Sequence, residues 1–129
     1  MRWFLIALCA VAGLSGRVAA QERSGNPPVL LFDTTEHNFG RISEKGGKVS
    51  YVFGFVNTGS TPAVIIEVSV SCKCTRVDFP HKPVAPGERS TITVTYDPKG
   101  QPGTFYKAIQ VLSTTPDKRQ IITVKGEVY

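Results

Sequence analysis

Residues 48–57 read KVSYVFGFVN, and large and small side chains alternate along them. The large apolar side chains take every second position: Val49, Tyr51, Phe53 and Phe55. Successive side chains of a β-strand point to opposite faces, so this stretch predicts a strand with one buried face. Residues 57–62, NTGSTP, follow directly and are typical of a turn. An alternating run closed by a turn is the pattern that the rest of the chain repeats.

The period of two recurs in short runs separated by turns rich in glycine, proline, asparagine and aspartate. Predicted strands cover residues 29–33 and 36–40 as one split strand, then 48–57, 63–72, 75–79, 89–96, 105–113 and 120–128. Two rows of alternate apolar side chains are predicted. Val64, Ile66, Val68 and Val70 share one face, which Cys72 continues in phase, and Ile92, Val94 and Tyr96 face inward. No segment has a helical period. The sequence therefore predicts an all-β fold, an antiparallel immunoglobulin-like β-sandwich of about seven strands.

The first twenty of the 129 residues have the pattern of a secretory signal peptide. Arg2 is followed by an apolar run over residues 4–14 that is too short to span a bilayer, and Val18-Ala19-Ala20 is a small-residue cleavage site. We therefore predict a signal peptide over residues 1–20, a flexible lead-in over 21–28 and one domain over 29–129. The expected location is periplasmic or secreted, with no transmembrane segment after cleavage.

Charge and motifs narrow the classes of function. The chain has a formal net charge of +5, which falls to +3 once Arg2 and Arg17 leave with the signal peptide. The remaining basic residues are scattered singly, which argues against nucleic-acid binding. Neither a Gly-x-Ser-x-Gly elbow nor a His-Glu-x-x-His motif occurs. We therefore predict a protein that is not an enzyme.

Cys72 and Cys74 are the cysteines that remain after Cys9 is lost with the signal peptide. A disulfide is the default state of such a pair in an oxidising compartment. Residues i and i+2 of a strand are about 6.6 Å apart, whereas a bridge needs Cβ atoms about 3.5–4.5 Å apart. A Cys72–Cys74 disulfide therefore requires the strand to kink or end there.

Two other uses of the cysteine pair stay open. Cys72 and Cys74 could bind copper or zinc with His37, which the strand order is expected to bring toward the same end of the sandwich. His81 is expected at the opposite end. Alternatively the pair could form an easily reduced bridge, with Lys73 lowering the pKa of a neighbouring thiol, as in a thiol-redox protein.

An ordered set of short motifs goes beyond what alternation predicts. It comprises His37-Asn38-Phe39-Gly40, Phe55-Val56-Asn57-Thr58-Gly59, Ser71-Cys72-Lys73-Cys74-Thr75, Ala85-Pro86-Gly87-Glu88, Gly103-Thr104-Phe105-Tyr106-Lys107 and Lys125-Gly126-Glu127-Val128. In this set the chain resembles the bacterial domain-of-unknown-function family 1573, which is similar to the ASPM/Hydin (ASH) group of immunoglobulin-like domains and akin to major-sperm-protein and PapD-type sandwiches. The resemblance implies an exported immunoglobulin-like domain and no particular activity. One departure is Lys73, where the family usually has a glycine that could adopt a left-handed turn.

These observations lead to one expected function. We predict an exported protein-binding or assembly module whose partner is another exported or envelope protein. Contact is expected through loops or an open sheet edge, since edge strands have unpaired backbone groups. The first and last strands, near Phe32 and Val124, are the predicted edges. Oligomeric state is left open.

Overall fold

A computed structural model describes residues 25–129, so the predicted signal peptide and the start of the lead-in lie outside the described residues. Eight strands make up the fold: β1 (Leu30–Phe32), β2 (Glu36–Ile42), β3 (Val49–Asn57), β4 (Ile65–Val70), β5 (Thr75–Asp78), β6 (Arg89–Tyr96), β7 (Gly103–Ser113) and β8 (Arg119–Val128). The described part of the chain contains no helix that is long and apolar enough to cross a membrane.

The strands form two four-stranded sheets packed face to face. Sheet I has the order β1-β3-β6-β5, and sheet II has the order β2-β8-β7-β4. The predicted split of the first strand is confirmed, because β1 pairs with β3 in sheet I whereas β2 crosses to sheet II. There β2 runs parallel to β8, and the other strand pairings are antiparallel. The predicted all-β sandwich is thus the observed fold.

The alternation in β3 places its aromatic row in the core between the sheets. Phe53 and Phe55 are completely buried, and Val52 on the other face is 52% exposed. The row predicted for β6 is equally buried, and Ile92 lies directly opposite Phe53. Burying one such side chain contributes about 1.5–3 kcal/mol. The inward rows of the neighbouring strands β3 and β6 therefore form the sheet I side of the core, to which the loop residues Ala63 and Val84 also contribute buried side chains.

The prediction that Ile66 shares one face of β4 with Val68 is wrong. Ile65 is buried, whereas Ile66 is 57% exposed. The pairing of β4 with β7 shifts register between Ile65 and Glu67, which is the mark of a β-bulge. One extra residue reverses the phase, so Val68 faces the core three positions after Ile65. The strand also ends at Val70 and does not reach Cys72.

The predicted edges are half right. β1, which contains Phe32, is an edge strand, as expected. β8, which contains Val124, is an interior strand with β2 on one side and β7 on the other. The sequence misplaced it because the split first strand sends β2 across to cover the last strand. The other edges of the two sheets are β5, β4 and β2.

The described end of the lead-in, residues 25–28, forms no strand and lies against the turn after β3. The carbonyl of Asn26 accepts hydrogen bonds from the Ser60 N–H at 3.3 Å and the Thr61 hydroxyl at 3.1 Å. Gly59 lies so close to this segment that a Cβ atom there would be 2.1 Å from the Pro27 carbonyl oxygen. The turn therefore needs glycine at this position because a side chain has no room.

Candidate functional site

Cys72 and Cys74 lie in the turn between β4 and β5, and a disulfide joins them. Their Cα atoms are 5.1 Å apart, which is shorter than the ~6.6 Å between alternate residues of a strand. β4 has ended at Val70, so the chain is bent where the bridge lies. The strand therefore ends before the cysteines, as the sequence predicted for a bridge between them.

The cysteine turn is held at one end of the sandwich by backbone hydrogen bonds. The Thr75 N–H donates to the Cys72 carbonyl at 3.1 Å, and the Asp97 N–H donates to the Cys74 carbonyl at 2.8 Å. Asp97 begins the turn between β6 and β7, so the cysteines lie beside that turn, as the strand order predicts. Cys74 is half-buried and packs against the core.

Lys73 does not need the left-handed conformation that a glycine would permit. Among residues 25–129, Lys118 is the one non-glycine residue with a positive φ. The turn therefore closes with lysine in an ordinary conformation, and the departure from the usual glycine does not prevent the bridge. The side chain of Lys73 is exposed.

The two sulfur atoms have different surroundings. The Cys74 N–H donates a hydrogen bond to the Cys72 Sγ at 3.1 Å. The Cys74 Sγ lies 3.7 Å from the Thr75 hydroxyl. A backbone N–H stabilises negative charge on the sulfur that it contacts, and in this turn the sulfur so contacted is that of Cys72.

His37 lies in strand β2, not in a turn. It is the second residue of β2, and β2 continues to Ile42, whose carbonyl accepts from the Tyr129 N–H at 3.0 Å at the far end. The His37 ring stacks on Tyr51, with ring centroids 3.8 Å apart. His37 therefore lies between the two sheets, with its ring engaged in an aromatic stack.

A three-ligand metal site is not assembled in the described part of the chain. No group of three or more His, Cys, Asp or Glu side chains between residues 25 and 129 is arranged to hold a metal ion. Cys72 and Cys74 are brought together, and His37 is not brought to them. His81 is exposed in the loop after β5, with its ring 4.6 Å from that of Phe79.

The four edge strands differ in how well they are protected. β1 has three residues, and β5 has four with two opposite charges, Arg76 and Asp78. β2 is interrupted by a bulge at Gly40, and its Glu36 pairs with Lys125 at 3.2 Å. Short length, charge and bulges all discourage a sheet edge from pairing with another chain.

Beyond its own bulge at residues 65–67, β4 is the least protected edge. It has six residues with a single charge, Glu67, and its residues after the bulge pair regularly with β7. Two of its apolar side chains are exposed, Ile66 by 57% and Val70 by 38%. The sequence contains the signal for this edge, since residues 63–72 have one charged residue and five β-branched residues, but the predicted strand order assigned the edges elsewhere.

An open groove of about 560 Å³ follows the outer face of sheet II beside β2. Its charged side chains already pair, since Arg41 lies 3.4 Å from Glu127 and Lys125 lies 3.2 Å from Glu36. Arg41 also lies over the ring of Tyr129, 4.4 Å from its centroid. These pairs are exposed and satisfy one another, so the groove has the character of an ordinary strand surface.

Comparison with known proteins agrees with the fold. The model of the family described as "Protein of unknown function (DUF1573)" matches residues 30–128. No curated protein matches the chain. Among solved structures, a protein of unknown function from Porphyromonas gingivalis superposes with a TM-score of 0.68 at 17% identity, covering 78% of this chain and 46% of that one.

Two further solved structures share the sandwich. The human CEP192 PapD-like domain 7, an ASH/PapD-like domain, has a TM-score of 0.65 at 11% identity and covers 95% of this chain and 98% of that domain. The VesB protease of Vibrio cholerae has a TM-score of 0.56 at 14% identity, covering 80% of this chain and 32% of the protease. The chain thus spans less than half the length of the P. gingivalis protein and of the protease. At these identities the likeness shows the fold alone.

Proposed function

This chain belongs to the DUF1573 family, and from that membership we propose that it is an exported, non-enzymatic module that binds another exported or envelope protein. The observation that supports the proposal most is the unprotected β4 edge. No strand within residues 25–129 pairs with its outer side, so an extended segment of a partner could add a strand to sheet II there.

The side chains of β4 give this edge a preference among partners. Ile66 and Val70 are exposed and apolar, and Glu67 is the one charge. By the phase of β4, Val70 lies on the face of Val68 and Ile66 on the opposite face, so a partner segment with β-branched or aromatic residues on both of its faces would cover these side chains while its backbone pairs with β4. We therefore assign the edge to an extended apolar peptide segment, and not to a charged or helical one.

Crosslinking from two matched positions tests the edge. Ile66 and Ile121 are both exposed isoleucines of sheet II, by 57% and 54%, but Ile66 lies on the edge and Ile121 on interior strand β8. With a photo-crosslinking residue at each position in turn, we expect an adduct with another envelope protein from position 66 and none from position 121. The adduct should disappear in the Val70→Lys variant, since an edge lysine opposes strand addition.

Two outcomes would contradict edge binding. One is equal adduct formation from both positions, and the other is an adduct that persists in Val70→Lys. The circular dichroism spectrum of Val70→Lys serves as the folding control. Export is tested separately by the intact mass of protein from the periplasm, which should correspond to a chain that begins at Gln21.

A further inference from the structure

The Cys72–Cys74 disulfide contributes little to holding this fold together. The stabilisation from a disulfide grows with the length of the loop that it closes, and this bridge encloses a single residue, Lys73. The core on either side is already closed by paired strands and by completely buried side chains such as Phe53 and Ile92. Because the bridge stabilises the fold so little, we expect a chemical role for the two cysteines.

The surroundings of the bridge favour its reduced form. The Cys74 N–H, 3.1 Å from the Cys72 Sγ, would stabilise a thiolate on that sulfur. The exposed Lys73 lies between the two cysteines in sequence and gives the turn a positive charge, which favours thiolates. Stabilising the reduced form makes a disulfide a stronger oxidant.

The turn can be reduced without loss of the fold. Its two backbone hydrogen bonds, from Thr75 to the Cys72 carbonyl and from Asp97 to the Cys74 carbonyl, do not involve sulfur. The cysteines are half-exposed in a turn at one end of the sandwich, within reach of another molecule. Both the oxidised and the reduced form can therefore retain the same sheet pairing.

We propose that Cys72–Cys74 is a redox-active disulfide that oxidises one dithiol of another protein per bridge, without turnover, which goes beyond the proposed binding. A thiolate of the dithiol attacks the Cys74 Sγ, which forms a mixed disulfide and breaks the Cys72–Cys74 bond. The Cys72 thiolate leaves, stabilised by the Cys74 N–H. The second thiolate of the dithiol then attacks the dithiol sulfur that is bonded to Cys74. This closes the disulfide of the dithiol and releases the Cys74 thiolate. Two electrons pass to the cysteine pair, and the two thiolates accept protons from water.

Reduced glutathione and a reduced peptide with two cysteines are the probes. Under anaerobic conditions, without denaturant, we expect glutathione to reduce the pair, and the protein to oxidise one equivalent of the peptide. Alkylation followed by intact mass measures both reactions. Cys72→Ser and Cys74→Ser should each abolish oxidation of the peptide. A structural disulfide, by contrast, resists reduction by the glutathione pool.

A charge variant adds a kinetic readout. Lys73→Glu should slow reduction by anionic glutathione about tenfold, because each unit of charge near the sulfurs changes the rate about threefold. Lys118→Glu makes the same charge change in the turn between β7 and β8 and should change the rate less than about twofold.

Three results would overturn the proposal. If Cys72 and Cys74 are reduced only in denaturant, their bridge is a structural disulfide. A reduced protein whose circular dichroism shows unfolding needs the bridge for its fold. Equal rates in Lys73→Glu and Lys118→Glu would show that the turn does not tune the exchange.

Discussion

His37 of β2 stacks face to face on Tyr51 of β3, with ring centroids 3.8 Å apart and ring planes inclined by 10°. The stack joins sheet II to sheet I along one side of the sandwich. The edge of the Phe39 ring also meets the imidazole, 4.7 Å away between centroids. Burial among these rings disfavours the imidazolium and lowers the pKa of His37 below its ordinary value of 6.5. The neutral ring therefore suits this position better than the charged one.

We expect acid to weaken the fold through His37. Because the pKa of His37 is lower in the folded protein, the unfolded chain binds the proton more readily. The contribution of neutral His37 to the free energy of unfolding is then fully present above about pH 6.5 and is lost progressively as the pH falls below that value. Urea unfolding followed by circular dichroism, from about pH 7.5 to about pH 4.5, measures the loss.

A His37→Phe variant is the matched control for acid sensitivity. Phenylalanine retains a ring against Tyr51 and removes the titrating group, so its free energy of unfolding should depend less on pH over the same range. An identical pH dependence in the two proteins would assign the acid sensitivity to other groups.

Burial shifts the pKa of Tyr96 upward, whereas it shifts that of His37 downward. Its side chain is completely buried and stacks on Phe105 with centroids 4.0 Å apart. Within residues 25–129 its hydroxyl has no hydrogen-bond partner. Burial, and then the negative charge of Asp97, raise the pKa of Tyr96 above 10.0. The buried phenol therefore stays neutral, and no hydrogen bond offsets the cost of burying its hydroxyl.

We expect Tyr96→Phe to stabilise the protein by about 1 kcal/mol, since it removes a buried polar atom without a partner and keeps the stack. Thermal unfolding and urea titration measure the gain. Tyr106→Phe makes the same change at a residue that is 65% exposed and should leave the free energy of unfolding unchanged. A clear loss of stability in Tyr96→Phe would mean that the hydroxyl forms a bond in solution.

Alternation predicted the fold well because most strands here have one buried face. In β6, Ile92, Val94 and Tyr96 are completely buried, as their spacing indicates. A bulge defeats the same reasoning, because one extra residue in β4 exchanges the faces of Ile65 and Ile66 without changing the composition. Such an insertion depends on the partner strand, so the sequence of β4 alone does not reveal it.

The candidate site was predictable only in part. The geometric limit on alternate strand residues correctly required a bend at Cys72, because that limit is local. The position of His37 depends on where β2 ends and on which sheet it joins. The interior position of Val124 has the same origin, since the crossing of β2 turns the last strand from an edge into a centre. Errors therefore arise where the answer depends on long-range topology.

Asn57 explains a motif that the sequence assigned to turn formation. Its side chain is completely buried at the end of β3 and forms four hydrogen bonds. Its oxygen accepts from the N–H groups of Val29 at 3.2 Å and Gly59 at 2.9 Å. Its nitrogen donates to the carbonyls of Thr61 at 2.8 Å and Val84 at 2.9 Å. One amide thus ties together three segments that are distant in sequence.

Replacing Asn57 with alanine should destabilise the protein by about 2–4 kcal/mol, because it leaves backbone groups of three segments without partners in a buried place. Asn38→Ala is the matched control, since the exposed Asn38 side chain accepts one hydrogen bond, from the Gly40 N–H at 2.7 Å. We expect that variant to lose about 1 kcal/mol or less. Urea unfolding gives both values. Equal losses would show that water replaces the Asn57 bonds, and the asparagine would then be a turn residue of ordinary importance.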